Sequence, residues 1–153
     1  MIVYKRTNMN KNILVKTDKD NNFESVPYIL SKISAGFPSP ADDYIENNLS
    51  LSELLIKNHL STFLMRASGD SMVDAGINDG DILVVDRSLE AKSRDIVIAI
   101  FEGSLTVKRL VIKTDGSAIL KAENPLYKNI SISEYAELEI WGVVTSAIRQ
   151  FIK

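Results

Sequence analysis

The chain has no cysteine, and its 153 residues include a single histidine, His59. Disulfides, thiolate metal sites and a cysteine nucleophile are therefore excluded, and the composition suits a reducing compartment. A multi-histidine metal site is excluded too, and a serine–histidine–acid triad could draw only on His59. No metal and no cofactor are expected. The seven glycines never fall as GxGxxG or GxxxxGK, so neither phosphate-cradling loop is present. Hydrophobic runs are short: the longest, residues 96–101, has six residues, against roughly 18 for a membrane span. The opening MIVYKRTNMNKN lacks a continuous apolar core and a small-residue cleavage site. No secretory signal and no membrane attachment are expected, and the expected location is the cytoplasm. Charge of one sign is also missing. The 18 basic and 20 acidic residues leave a formal net charge of −2, without the broad electropositive surface that holds phosphate backbones.

What is present is ordinary globular material. Hydrophobic residues make up 45% and charged residues 25%, enough apolar content to exclude wholesale disorder. The length suits one compact domain with an arm. We place the division at about residue 40. Residues 1–40 hold two short apolar pieces, 2–4 and 13–15, separated by polar stretches such as Thr17-Asp18-Lys19-Asp20-Asn21-Asn22, which reads as a turn or loop. Together they bury too little to fold alone. The arm ends in Ser34-Ala35-Gly36-Phe37-Pro38-Ser39-Pro40. Its prolines remove backbone donors and favour extended chain, and small residues precede them.

Residues 41–153 begin with one short helix. Ser50 and Glu53 have capping-box spacing, and Leu51, Leu54 and Leu55 make an i, i+3, i+4 stripe. Strands are then expected at 62–67, 82–86, 95–101, 105–113, 118–122 and 138–148, all rich in Val and Ile. Turn signals separate them: Asn78-Asp79-Gly80-Asp81, Glu102-Gly103-Ser104 and Thr114-Asp115-Gly116. This pattern implies a mainly β domain, a curled sheet or small barrel.

The least ordinary segment is Ala67-Ser68-Gly69-Asp70-Ser71-Met72. A serine just past a glycine turn can present its hydroxyl in the open, and successive N–H groups there can converge into an oxyanion site. The same residues also suit a plain turn. A serine hydroxyl needs a base at neutral pH. His59 reads as a solvated residue at a helix end. Lys108 is the other candidate, because low polarity disfavours the ammonium form. Strand alternation puts Thr106, Lys108 and Leu110 on one face, so Thr106 could hydrogen-bond the neutral amine. Lys108 and Arg109 equally suit charges on a half-exposed strand. Asp74, Asn78, Asp79 and Asp81 resemble calcium ligands, but aligning Gly80 with the EF-hand glycine puts Ala75 at the first ligand position, and aligning Gly76 puts Val73 at the third. The loop reads as turns. Asp42, Asp43, Glu137 and Glu139 read as solvated carboxylates. Trp141 is expected in the core, with Gly142 allowing a bend.

Three ordered motifs now bear on the open choices. Ser68-Gly69-Asp70-Ser71-Met72 with Gly76-Ile77-Asn78-Asp79-Gly80-Asp81 resembles the nucleophile region of the LexA/UmuD family of self-cleaving serine peptidases. Thr106-Val107-Lys108-Arg109-Leu110 resembles its lysine strand, and Ala35-Gly36 its scissile dipeptide. Asn124-Pro125-Leu126-Tyr127 and Trp141-Gly142-Val143-Val144 fall where the family has similar segments, and the likeness covers about residues 35–150. The resemblance implies the LexA-type C-terminal peptidase fold with an extended N-terminal arm. It implies Ser71 as nucleophile, Lys108 as general base and Thr106 in support. The backbone N–H groups of Asp70 and Ser71 would form the oxyanion hole, and the Ala35–Gly36 bond of the chain's own arm would be the substrate.

The resemblance further implies an SOS-response protein. Its self-cleavage would be stimulated by a RecA filament on single-stranded DNA. The processed homodimer would serve as accessory subunit to a UmuC-like, Y-family catalytic subunit of an error-prone translesion DNA polymerase. LexA-type repressors carry a helix-turn-helix domain, whereas the residues before Gly36 show no paired amphipathic helices, so sequence-specific DNA binding is not expected. The pieces at 2–4 and 13–15 have no counterpart in the resemblance. The competing readings are a transcriptional regulator of DNA-damage genes and a non-catalytic interaction module on the same fold. A signal-peptidase-like enzyme shares the serine–lysine chemistry but needs a membrane anchor, which is not seen in the sequence.

Overall fold

The structure, a computed structural model, describes residues 26–29, 35, 36, 46–132 and 138–152. The apolar pieces at 2–4 and 13–15, the polar stretch after them and both prolines of the arm's end lie outside the described residues. Contacts divide the described residues into two compact units, one ending at residue 57 and the other beginning at residue 58.

In the first unit, β1 (Val26–Ile29) pairs antiparallel with β2 (Glu46–Leu49), Val26 opposite Leu49 and Ile29 opposite Glu46. Neither strand is expected from the sequence, because Glu-Asn-Asn-Leu has little intrinsic β preference and the ladder joins residues 17 to 23 apart. The short helix α1 (Leu51–Leu55) follows, capped by the Ser50 hydroxyl, which accepts from Glu53 N–H. It ends at Ile56, whose backbone is extended. Leu51 and Leu54, two of the three residues in the expected stripe, are exposed.

The second unit is one antiparallel sheet of seven strands: β3 (Thr62–Arg66), β4 (Ile82–Asp86), β5 (Ile96–Phe101), β6 (Ser104–Ile112), β7 (Ala118–Lys121), β8 (Ile130–Ile132) and β9 (Glu139–Ile148). Their order across the sheet is β3-β4-β9-β5-β6-β7-β8. The mainly β expectation holds, and the six expected strands are all present to within a residue or two. The ladder stays open, with β3 and β8 as edges, and does not close into a barrel. β8 escapes the sequence pattern because three residues are too few to show an alternation.

The central strands read as unbroken apolar runs because both faces are covered. On β5, Val97 and Ala99 join Leu110, Leu120, Leu138 and Val143 in one buried cluster, while Ile98 joins Met72, Ile77, Leu83 and Val85 in another. Each fully buried Leu, Ile or Val contributes about 1.5–3 kcal/mol. Glu102 and Gly103, at φ 49° and 77°, form the tight turn that sets Phe101 opposite Ser104 and so fixes the β5–β6 register. β9 carries two irregularities: residue 141 is skipped between the pairs Ile98–Gly142 and Ala99–Ile140, and residue 145 between Val84–Ser146 and Val85–Val144. Trp141 packs edge-on against Phe63, ring centres 5.2 Å apart, with the Arg87 guanidinium 4.7 Å above it. Gly142 is required by closeness: a Cβ there would sit 2.7 Å from Val85 Cγ1. Among the described residues no helix is long and apolar enough to cross a membrane.

Candidate active site

Past the end of β3 the chain keeps its place beside β4. Ala67 N–H donates to Asp81 O at 2.8 Å, and Gly80 N–H returns to Ala67 O at 2.9 Å. It then swings away in a turn that needs Gly69 at φ 86°, a left-handed conformation that favours glycine. The Asp79 carboxylate steadies this turn by accepting Gly69 N–H at 2.7 Å. Met72 is driven inward to 1% exposure, and a 3-10 turn, Val73–Ala75, follows. Ser71 is thus held between an exposed acidic residue and a buried anchor, partly accessible to solvent.

Lys108 comes from the middle of β6, on the face whose next outward position, Leu110, is fully buried. Its side chain is 8% exposed. Nζ lies 2.9 Å from Ser71 Oγ, 3.3 Å from Thr106 Oγ1 and 2.9 Å from Val107 O. Among the described residues no carboxylate forms an ion pair with it. Burial pushes its pKa down from 10.5, because the charged form loses its hydration there. Three oxygens match a neutral amine well: two N–H groups donate to Val107 O and Thr106 Oγ1, and the lone pair accepts the Ser71 hydroxyl proton. The structure therefore brings Ser71, Lys108 and Thr106 together across 37 residues of sequence. His59 takes no part in this set; it is exposed, four residues beyond the end of α1.

Among the described residues the N–H groups of Asp70 and Ser71 make no hydrogen bond, and both are available to a ligand. A cleft of about 190 Å³ opens beside Ser71, with Leu83, Ile98 and Val107 among its apolar lining and Arg66 and Thr106 among its polar lining. A small hydroxyl nucleophile, a buried amine and unoccupied N–H donors together suit attack on a carbonyl within an extended apolar segment. Ala35 and Gly36 are exposed, in a bend of the other unit.

The acidic loop serves structure. Asp81, 3% exposed, receives Arg149 Nε at 2.9 Å and Nη2 at 2.7 Å, and Arg149 Nη2 also donates to Gly76 O at 2.7 Å. The Arg149 guanidinium and the N–H of Asn78 bring the Asp81 carboxyl down to about 2. Among the described residues no cluster of acidic or histidine side chains could hold a metal. Sequence reading noted residues 124–127 only as part of the family likeness and gave residues 121–127 no role at the site, which the structure shows them to brace. Arg109 Nε pairs with Glu123 Oε1 at 2.5 Å, which keeps that carboxyl below its usual range, and Glu123 N–H donates to Ser71 O at 2.9 Å. Asn124 Nδ2 donates to Asp70 O at 3.0 Å, and the Tyr127 hydroxyl donates to the Asp70 carboxylate. Besides the likeness at 124–127, the local signal was the Asn-Pro pair, which marks a turn without saying what it braces.

Comparison with known proteins adds an independent line. A family model described as Peptidase S24-like matches residues 27–145. The chain is 42% identical over 125 residues to Protein MucA of Salmonella typhimurium, an overlap of 81% of this chain and 84% of that protein. It is 39% identical over 138 residues to Protein SamA of Salmonella typhimurium strain LT2, covering 90% and 95%. It is also 30% identical over 133 residues to the LexA repressor of Leptospira interrogans, covering 83% of this chain and 65% of the repressor.

Proposed function

The chain belongs to the peptidase S24-like family, as a UmuD-like member of its LexA/UmuD branch, and on that footing we propose that it is a serine peptidase that cuts its own Ala35–Gly36 bond. The observation that carries this reading is the 2.9 Å approach of Lys108 Nζ to Ser71 Oγ in a buried setting, without a carboxylate partner among the described residues. The neutral amine takes the Ser71 proton as Oγ attacks the Ala35 carbonyl. The tetrahedral oxygen anion is met by the N–H groups of Asp70 and Ser71. The Lys108 ammonium then returns the proton to the Gly36 nitrogen as the C–N bond breaks. Water hydrolyses the Ala35 ester on Ser71, which frees a carboxylate and regenerates the hydroxyl.

Small residues at 35 and 36 let the backbone come close to Ser71, and tethering raises the effective concentration of the bond. The rate is then set by docking of the arm and by deprotonation of Lys108. Family membership supports the wider role: an SOS-response protein in the cytoplasm whose cleavage is stimulated by a RecA filament on single-stranded DNA. In that role residues 36–153 form a homodimer that joins a UmuC-like catalytic subunit in translesion synthesis. The arm comprises residues 1–40 and the peptidase and dimerisation domain residues 41–153.

Incubating the purified chain at pH near 10 tests the central step. A fragment beginning at Gly36 should accumulate, and Ser71→Ala should stop it; cleavage at the same bond in Ser71→Ala would end the proposal. The likeness to a LexA repressor favours one second reading, a transcriptional regulator. Retention of promoter DNA in a mobility-shift assay by the Ser71→Ala chain would support that reading, and no retention would remove it.

A further inference from the structure

The carbonyl oxygen of Asp70 is held twice: by Val73 N–H at 3.2 Å and by Asn124 Nδ2 at 3.0 Å. Those two donors use both lone pairs of that oxygen. A trans peptide is planar, and its C=O and N–H point in opposite directions. Fixing Asp70 O therefore fixes the direction of Ser71 N–H, which belongs to the same peptide unit and has no acceptor among the described residues. The next carbonyl is treated alike: Ser71 O accepts Glu123 N–H at 2.9 Å.

Asn124 is itself tightly placed. It is 7% exposed, and its Oδ1 accepts Leu126 N–H at 3.0 Å. That second bond sets which end of the amide faces Asp70. A buried side-chain amide spent on holding one peptide plane of the Ser71 turn has a purpose beyond packing. We propose that Asn124 is a positioning residue for the oxyanion hole, its Nδ2 donation turning the peptide plane shared by Asp70 and Ser71 so that Ser71 N–H faces the reacting carbonyl. The inference rests on Ser71 being the nucleophile, and it extends that reading to a residue that touches neither the substrate nor Lys108.

The test uses the full chain and an alkyl fluorophosphonate, which needs no docked arm. Ser71 Oγ attacks phosphorus, fluoride leaves, and the hydroxyl proton passes to Lys108. Labelling rate is followed against pH by mass spectrometry. Wild type should label at Ser71 and Ser71→Ala should not; an unlabelled wild type would refute the nucleophile itself, separately from the role of Asn124. With labelling established, Asn124→Asp is the sharper variant. It keeps the volume and the acceptor for Leu126 N–H but replaces the donor facing Asp70 O; Asn124→Ala is its companion. Both should lower the alkaline plateau about ten- to hundred-fold, less than the loss of a whole oxyanion donor, while in the uncharged Asn124→Ala the pH midpoint set by Lys108 stays at the wild-type value. A plateau within twofold of wild type in a folded variant overturns the proposal. So does a shifted midpoint in the uncharged Asn124→Ala, which would mean that Asn124 acts through the lysine. Circular dichroism identifies a variant that has not folded, and the other variant then decides.

Discussion

Replacing Lys108 by methionine should separate the cost of burying an amine from its use. The two side chains are similar in length, and the position is 8% exposed. In the wild type Nζ meets two hydroxyls and one carbonyl and, among the described residues, no opposite charge, so the ammonium form is penalised by burial without Coulombic return. Methionine loses those hydrogen bonds, each worth about 1 kcal/mol net, but also removes the burial cost. At pH near 7 the variant should lie within about 1 kcal/mol of wild type. Self-cleavage should fall by about 10⁴-fold or more, because the general base is gone. The stability difference should also depend on pH. Below the depressed folded-state pKa, Lys108 is charged both folded and unfolded, and the fold bears the full penalty. Between that pKa and 10.5 the unfolded chain still binds the proton that the fold has released, so wild-type stability rises with pH. The gain is at most about 1.4 kcal/mol per pH unit and stops above the unfolded value. Urea titrations of uncleaved wild type and variant across pH 7 to about 10, with cleavage followed by mass spectrometry, measure both effects. A variant destabilised by more than about 3 kcal/mol at every pH, as loss of a structural charge pair would produce, refutes the reasoning; so does persistent cleavage.

Three further outcomes follow from other sites. Thr106→Val removes the hydroxyl 3.3 Å from Nζ and should slow alkaline self-cleavage by about five- to tenfold, the worth of one hydrogen bond, with little change in melting temperature. Asp81→Asn breaks the two-pronged contact with Arg149 and should cost about 2 kcal/mol in a urea titration near neutral pH. Because Asp81 titrates at about 2 in the fold against 3.8 in the free side chain, its contribution is present above 3.8 and is lost as pH falls toward 2, so the variant should show a weaker acid transition. Gly142→Ala places a methyl 2.7 Å from Val85 Cγ1 and 3.3 Å from Asp86 O. It should cost about 1–3 kcal/mol by overpacking, read as a lower urea midpoint; an unchanged midpoint would show that β9 yields more easily than its place between β4 and β5 implies.

The sequence by itself determined what is local. Runs such as Ile96–Phe101 specify strands because their apolar side chains can be buried on either face, and Glu102-Gly103 marks its hairpin because Gly103 takes positive φ without a steric cost. The Ser71 turn and the Lys108 strand were each legible as candidates, yet their chemistry stayed open until a family likeness paired them. Only the tertiary structure decided what depends on which strands lie side by side. The order β4-β9-β5-β6 and the return of residues 121–127 beneath the turn bring Lys108 to Ser71, Asn124 to Asp70 and Arg149 to Asp81, over separations of 37, 54 and 68 residues. Alternation along a strand assigns a side chain to a face but carries no information about what the fold places opposite it. Burial, which lowers the Lys108 pKa, is likewise a property of the assembled sheet and not of β6 alone.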